Sequence, residues 1–304
     1  MLWRLALIFG GSALALWVFG ERGRLLRRST RALLRAHGWR GVLNGAFWHG
    51  YLYARWSGQY IGWSIRYAFP HTHPAPGSPR WARVYHGKVL RTEDAKRLLT
   101  VNEPIRRDLE QIIPHTIARQ LVLDGPPEIA VYECPCRAAR PTPCQPTQVC
   151  MIVGQPFVDF IIEHNPRTAR KITTGEALAL LEAEHARGHL HAAYFKDVML
   201  NRFYAICNCC ACCCGGIEAM TRCGVPMVIS SGYVAAVNEI ACLACGTCED
   251  ACPFGAIAVN GSAVVDWEKC LGCGICETQC TGAAITLVRD ARKGEPLDVR
   301  ALTG

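Results

Sequence analysis

The chain opens on one apolar run, Leu2 to Gly20, interrupted only by Arg4 and Ser12. As a helix its 19 residues would extend about 28 Å, close to the roughly 30 Å hydrocarbon core of a bilayer. Arg22, Arg24, Arg27, Arg28 and Arg31 follow at once. That flank predicts a retained anchor rather than a cleaved signal, with the rest of the chain on the cytoplasmic side. From 31 to 69 the pattern turns helical. Trp39, Leu43, Phe47 and Tyr51 form one stripe, and Trp56, Tyr60, Trp63 and Tyr67 recur at spacings of 4, 3 and 4. One or two helices are expected here, lying on a bilayer, packed on the rest of the protein, or both.

Pro70, Pro74, Pro76 and Pro79, with Gly77 and Ser78 among them, break the pattern and mark a linker at 70–79. Beyond it, 80–232 reads as a mixed unit. Thr92-Glu93-Asp94 starts a helix over Ala95 to Leu99, and Glu103 to Leu123 has helical periodicity broken at Pro114. Ile129 to Tyr132, His189 to Phe195 and Phe203 to Ile206 are strand candidates. Thr173 and Glu176 form a capping box that opens a helix to about His185. Between Ala256–Val259 and Ala263–Val265, Asn260-Gly261 is a hairpin signal.

Composition sharpens this outline. The 304 residues are 50% hydrophobic and 19% charged, which excludes a disordered chain. Residues 1–70 hold ten arginines against one acid, Glu21, and six of the eight tryptophans. Arginine mixed with tryptophan and tyrosine is the composition of a membrane interface rather than of a nucleic-acid surface. The 19 cysteines exceed what a soluble core needs, and the chain is too long to depend on disulfides, so most should be metal ligands.

Two cysteine runs near the carboxyl end share one spacing. Cys242, Cys245, Cys248 and Cys252 form the first, and Cys270, Cys273, Cys276 and Cys280 the second. This is the spacing of the two-cluster bacterial ferredoxin, in which the fourth cysteine of each run serves the other cluster. Cluster one is therefore expected on Cys242, Cys245, Cys248 and Cys280, and cluster two on Cys270, Cys273, Cys276 and Cys252. In the middle unit, Cys134, Cys136, Cys144 and Cys150 are enough for a third cluster or a zinc site. Cys207, Cys209, Cys210, Cys212, Cys213 and Cys214 are candidates for a further cluster. Gly215 and Gly216 after them would let backbone approach an inorganic core. His185, His189 and His191 are alternative ligands.

Residues 235–288 resemble the two-cluster bacterial ferredoxin fold, although Cys280 is followed by Thr281-Gly282 where that family has proline. With Tyr53-x-Arg55-Trp56, Glu133-Cys-Pro-Cys-Arg137 and Cys207-Asn-Cys-Cys210, the whole chain is similar to a group of bacterial membrane-associated 4Fe–4S proteins. The expected class is α+β. Anchor and surface helices span 1–69, the linker 70–79, a cysteine-rich α/β unit 80–232, the two-cluster unit 233–288 and a polar tail 289–304.

These readings point to single-electron transfer between a redox protein and a membrane or cytoplasmic oxidoreductase, with membrane lipid and a quinone-linked membrane complex as partners and no nucleic acid. The site would be the cytoplasmic membrane, with the soluble part facing the cytoplasm. Two alternatives stand beside it: a reductase with an open-site cluster in Cys207–Cys214, and a thiol or cluster redox sensor. Cys-x-x-Cys-His is absent, which excludes c-type haem attachment, and no Gly-x-Gly-x-x-Gly follows a strand.

Overall fold

The computed structural model describes residue 14 and residues 16–71 and 83–302. It is an α+β protein organised on one large sheet. The sheet order is β6 (Ala169–Ile172), β4 (Ile129–Glu133), β5 (Gln148–Val153), β8 (Arg202–Cys209), β7 (Leu190–Lys196), β1 (Tyr85–Leu90) and β9 (Val228–Ile229). A ribbon of β2 (Pro104–Asp108) and β3 (Gln120–Asp124) joins it beside β8. Neighbours are antiparallel except at β1–β9 and β3–β8.

Alternation along the strands divides the interior into two cores, because successive side chains point to opposite faces. One face carries Ala130, Tyr132, Cys150, Ile152, Ala192, Tyr194, Tyr204 and Cys209. The other carries Ile129, Val131, Met151, Val153, Ala193, Phe195, Phe203 and Ile206. Helices α1 (Arg28–Leu43), α2 (Ala46–Arg55) and α3 (Ser57–Trp63) cover the first face, burying Leu33, Phe47, Tyr51, Tyr53, Ala54 and Ile61. Helix α4 (Thr92–Thr100) and the later helix Thr174–Ala186 cover the second, with Leu98, Leu99, Ala177 and Leu181.

The expected strands at 129, 190 and 203 and the Thr173 capping box are all present. The helical stretch expected over Glu103 to Leu123 is instead β2 and β3, paired from Pro104↔Asp124 to Asp108↔Gln120. Ile105, Leu121 and Leu123 fill the second core, so tertiary burial overrides the local periodicity. Only part of each aromatic stripe is buried. Phe47 and Tyr51 lie in the core, while Trp39, Leu43, Trp63 and Tyr67 are exposed.

Among the described residues no helix is long and apolar enough to cross a membrane. Residues 1–13 and 15 of the expected anchor lie outside the described residues. Glu21, just after that run, is buried and accepts hydrogen bonds from Thr30 Oγ1 and Tyr51 Oη, each at 2.8 Å. This ties the chain end to the first helices. Of the linker expected at 70–79, residues 72–79 also lie outside the described residues, and Pro70 and His71 close a short 3-10 helix, Phe69–His71.

The segment expected as a polar tail folds back, and Leu297 and Val299 are buried in the second core. There the buried Lys88 donates from Nζ to the carbonyl of Glu295 at 2.7 Å and to that of Ile112 at 3.3 Å. Burial lowers Lys88 to about 7. Between that value and the ordinary lysine range the unfolded chain binds the extra proton, so stability should rise with pH. Denaturant titrations at pH 7 and pH 9 should show wild type gaining on Lys88→Met by up to about 1.4 kcal/mol per pH unit. Parallel pH profiles would show that Lys88 keeps its proton in the fold.

Candidate iron–sulfur centres

The carboxyl-terminal unit is built twice. Strand β10 (Tyr233–Val237) pairs with β13 (Ile285–Arg289), and β11 (Ile257–Asn260) pairs with β12 (Ser262–Val265) across the Asn260-Gly261 turn. Gly261 has φ +78°, the left-handed conformation this tight turn requires. Elements recur at an offset of 28 residues, as from Cys242 to Cys270. The amides of Ala256 and Ala284 each donate to a sulfur four residues back, Cys252 and Cys280, at 3.2 Å. Ala263 donates to Cys242 at 3.4 Å and Ala235 to Cys270 at 3.5 Å. Such donors stabilise anionic sulfur and tune a cluster.

Two cavities lie in this unit. One, of about 340 Å³, is lined by Cys242, Cys245, Cys248 and Cys280. The other, of about 320 Å³, is lined by Cys252, Cys270, Cys273 and Cys276. The fourth cysteine of each run thus stands in the cavity of the other. The cavities differ in exposure. Cys245 is exposed, and its thiol is lowered by Thr247 Oγ1 at 3.5 Å. Its counterpart in the second run, Cys273, is half-buried and is pushed well up, chiefly by burial.

A third and larger cavity, of about 620 Å³, lies between the sheet's first face and the N-terminal helices. Eight cysteines line it, Cys210 and Cys213 at its edge with the others, and the sulfurs of the remaining six form a closed ring. Cys134 faces Cys136 and Cys150, Cys150 faces Cys207, Cys207 faces Cys209, Cys209 faces Cys214, and Cys214 faces Cys136. The strands dictate this arrangement. Pairing of Met151 with Ile206 sets Cys150 beside Cys207, and Tyr132 lies across from Cys150. Cys207 and Cys209, two apart on β8, share a face.

Tyr53, Tyr85, Tyr132, Tyr194 and Tyr204 also line the cavity. Burial raises all five hydroxyls, which keeps them neutral donors. Ile61 and Phe69 complete the roof. Gly215 donates its amide to Cys136 Sγ at 3.4 Å. At Gly216 a Cβ would stand 2.7 Å from the Tyr194 hydroxyl oxygen, so the expected close approach of backbone at this pair is to the cavity wall.

A separate, compact set stands beside the ring. Cys144, His189 and Cys210 offer ligand atoms within 4.8 Å of one another, as do Cys210, Cys212 and Cys213. The Cys144 amide donates to Cys213 Sγ at 3.4 Å. Glu184 lies 2.7 Å from His189 Nδ1, so the carboxylate accepts that proton and leaves Nε2 as a lone pair 3.7 Å from Cys144 Sγ. Metal-binding histidines are held by carboxylates in this way. Arg137, fully buried, donates to Glu184 at 2.9 Å and to the carbonyls of Asn208 at 3.3 Å and Pro146. It sets a permanent positive charge between the two groups.

The structure therefore regroups the middle cysteines. The expected quartet of Cys134, Cys136, Cys144 and Cys150 is divided: Cys144 stands with Cys210, Cys212 and Cys213, and the other three join Cys207, Cys209 and Cys214. Cys223 stands apart, donating to the Phe69 carbonyl at 3.4 Å. His185 and His191 lie outside both sets. The five tyrosines were not singled out from the sequence, where buried strand aromatics look like ordinary core.

Paired four-cysteine cavities with amides aimed at the sulfurs define a tandem iron–sulfur unit of the ferredoxin type. Residues 235–258 and 263–286 each match the family model of the 4Fe-4S binding domain. Among curated proteins none matches the chain. Cys252→Ser should disturb the cluster in the cavity of the second run while leaving that of the first. Electron paramagnetic resonance of the reduced protein should lose one of two interacting signals, and loss of the first-run signal instead would refute the crosswise partition.

Proposed function

We propose that the protein passes single electrons from its ferredoxin unit into the buried cysteine centre of the large sheet. The reading is supported by one continuous line of contacts between them. Thr278, in the short helix Ile275–Gln279 of the second run, meets His185 Nε2 at 2.5 Å. The ring of His185 lies 5.6 Å from that of His191, centroid to centroid. His191 Nδ1 meets Asn208 Oδ1 at 2.6 Å, and Asn208 sits between Cys207 and Cys209 on the cavity wall. The first-run cavity holds the exposed Cys245, with Leu243 and the 99%-exposed Ile240 beside it. A soluble redox partner would dock there, and the second-run cavity would hand the electron inward.

Iron–sulfur clusters, when bound, supply one-electron acceptors at potentials set by their surroundings. This chain's part is to hold thiolates, aim amides and exclude water. His191→Leu keeps the buried volume and removes the polar bridge. Rapid-mixing kinetics should then show electron arrival at the inner centre slowed on the order of tenfold, about 1.4 kcal/mol of effective barrier, with iron content unchanged. An unaltered rate would rule out this route.

The acceptor side is proposed to lie at a membrane. Trp39, Leu43, Trp48, Leu52 and Trp63 are exposed on α1, α2 and α3, in the arginine-rich part of the chain. Aromatic and basic side chains together suit an anionic lipid surface, and the cytoplasmic face of a membrane beside a quinone-linked complex would fit. Flotation with anionic vesicles should recover the wild type. Trp39→Glu with Trp63→Glu should recover less, and equal recovery would remove these helices from membrane contact. A reductase reading is favoured by one observation, the size of the ring cavity; turnover would show as a substrate-dependent change in that centre's spectrum.

A further inference from the structure

The six-cysteine ring is larger than any site the sequence spacing suggests. The ferredoxin unit supplies an internal ruler. Its two cavities, each lined by four cysteines, measure about 340 and 320 Å³. The ring cavity measures about 620 Å³, close to their sum, and is lined by eight cysteines, of which six form the ring and two, Cys210 and Cys213, are shared with the compact set.

Sulfur count and spread agree with that volume. A tetrahedral zinc ion with bonds of about 2.3 Å draws its sulfurs to about 3.8 Å of one another. Among the described residues, no three of the six ring sulfurs lie mutually within 4.8 Å, whereas the compact set beside the ring does contain such triplets. A single cubane has four irons and takes four thiolates, which would leave two buried thiols without a metal. Two cubanes fused through a shared corner or one bridging sulfide each give up a terminal position, and the demand falls from eight thiolates to six. The chain supplies them three and three. Cys134, Cys136 and Cys150 come from the β4–β5 side, and Cys207, Cys209 and Cys214 from β8 and the turn after it.

We propose that this cavity binds one fused iron–sulfur cluster of about twice cubane size, on the order of eight irons, with those six cysteines as its ligands. The inference rests on the iron–sulfur reading of the inner centre. Ligation forms an iron–sulfur bond at each cysteine and releases the thiol proton to solvent, with no net oxidation or reduction. The assignment leaves the compact set of Cys144, Cys210, Cys212, Cys213 and His189 as an adjoining second site, with Cys210 and Cys213 on the wall between the two. It also leaves Cys223 as the one cysteine outside all four groups, each of the other 18 lining a cavity or belonging to the compact set.

The test is native mass spectrometry of anaerobically purified full-length protein, with iron, sulfide and zinc determined on the same samples. The ferredoxin unit accounts for about eight irons. Wild type should carry about eight more in the ring, so that Cys150→Ser with Cys207→Ser lowers the total by about eight. Each single variant should alter the same inner spectroscopic signal, although the two cysteines come from different segments. Cys212→Ser with Cys213→Ser should leave the ring's irons in place. Retention of the ferredoxin signal in every variant reports that the fold survives. A loss of about four irons in the ring variant, or zinc in the ring, overturns the fused cluster. With about four irons in the ring, the electron-transfer reading would survive the loss of this inference. A ring without iron would end both.

Discussion

Burying thiols together in one cavity is the constraint on which the rest of this structure depends. A thiolate without a metal is costly there, and a neutral thiol gives up most of its value as a ligand. Neighbouring sulfurs and burial push Cys136 and Cys150 well above the ordinary thiol range. A positive centre that binds several sulfurs at once would repay that cost, and in the proposed reading metal binding and folding would then be one equilibrium in this unit. The tyrosines, Arg137 and the tight glycine pair are then consequences. Neutral hydroxyls and one fixed cation surround anionic sulfur, and the backbone comes close enough for the Gly215 amide to reach it.

In the proposed reading, the ferredoxin unit and the amino-terminal helices serve the same centre in different ways. The ferredoxin unit repeats one design twice, yet one copy is open to solvent and the other is turned toward the sheet. Their cavities match in donors and differ in exposure at the second cysteine of each run, Cys245 and Cys273. A difference in solvation is one of the few means by which identical ligand sets acquire different potentials. The amino-terminal helices close the opposite side of the cavity through Tyr53, Ile61 and Phe69. These helices are part of the cavity wall as well as the proposed docking surface.

The ferredoxin unit was legible in the sequence because its ligands are local. Three cysteines at intervals of three wrap one loop, and only the fourth comes from afar, by a rule the spacing already implies. The hairpin at Asn260-Gly261 and the capping box at Thr173 were legible for the same reason. The middle centre was not. Its cysteines are sorted by strand pairing, and the partner of Cys150 is decided by the register of β5 on β8. Proximity along the chain grouped Cys144 with Cys150, and the sheet places them in different sets. The period of two that puts Cys207 and Cys209 on one face was available, but nothing local reveals which strand lies next to theirs. Likewise, Glu103 to Leu123 has a helical rhythm that an edge ribbon in the second core overrides.

The roof over the ring has a consequence for how the protein is made. Tyr53, Ile61 and Phe69 leave the ribosome before any of the six cysteines they cover. A cofactor delivered whole must therefore arrive while those early helices still stand away from the late strands, and their seating afterwards would seal it in. One grown atom by atom in place would face no such deadline. Maturation order, rather than affinity, would then decide whether a newly made chain is competent or a sealed and empty shell.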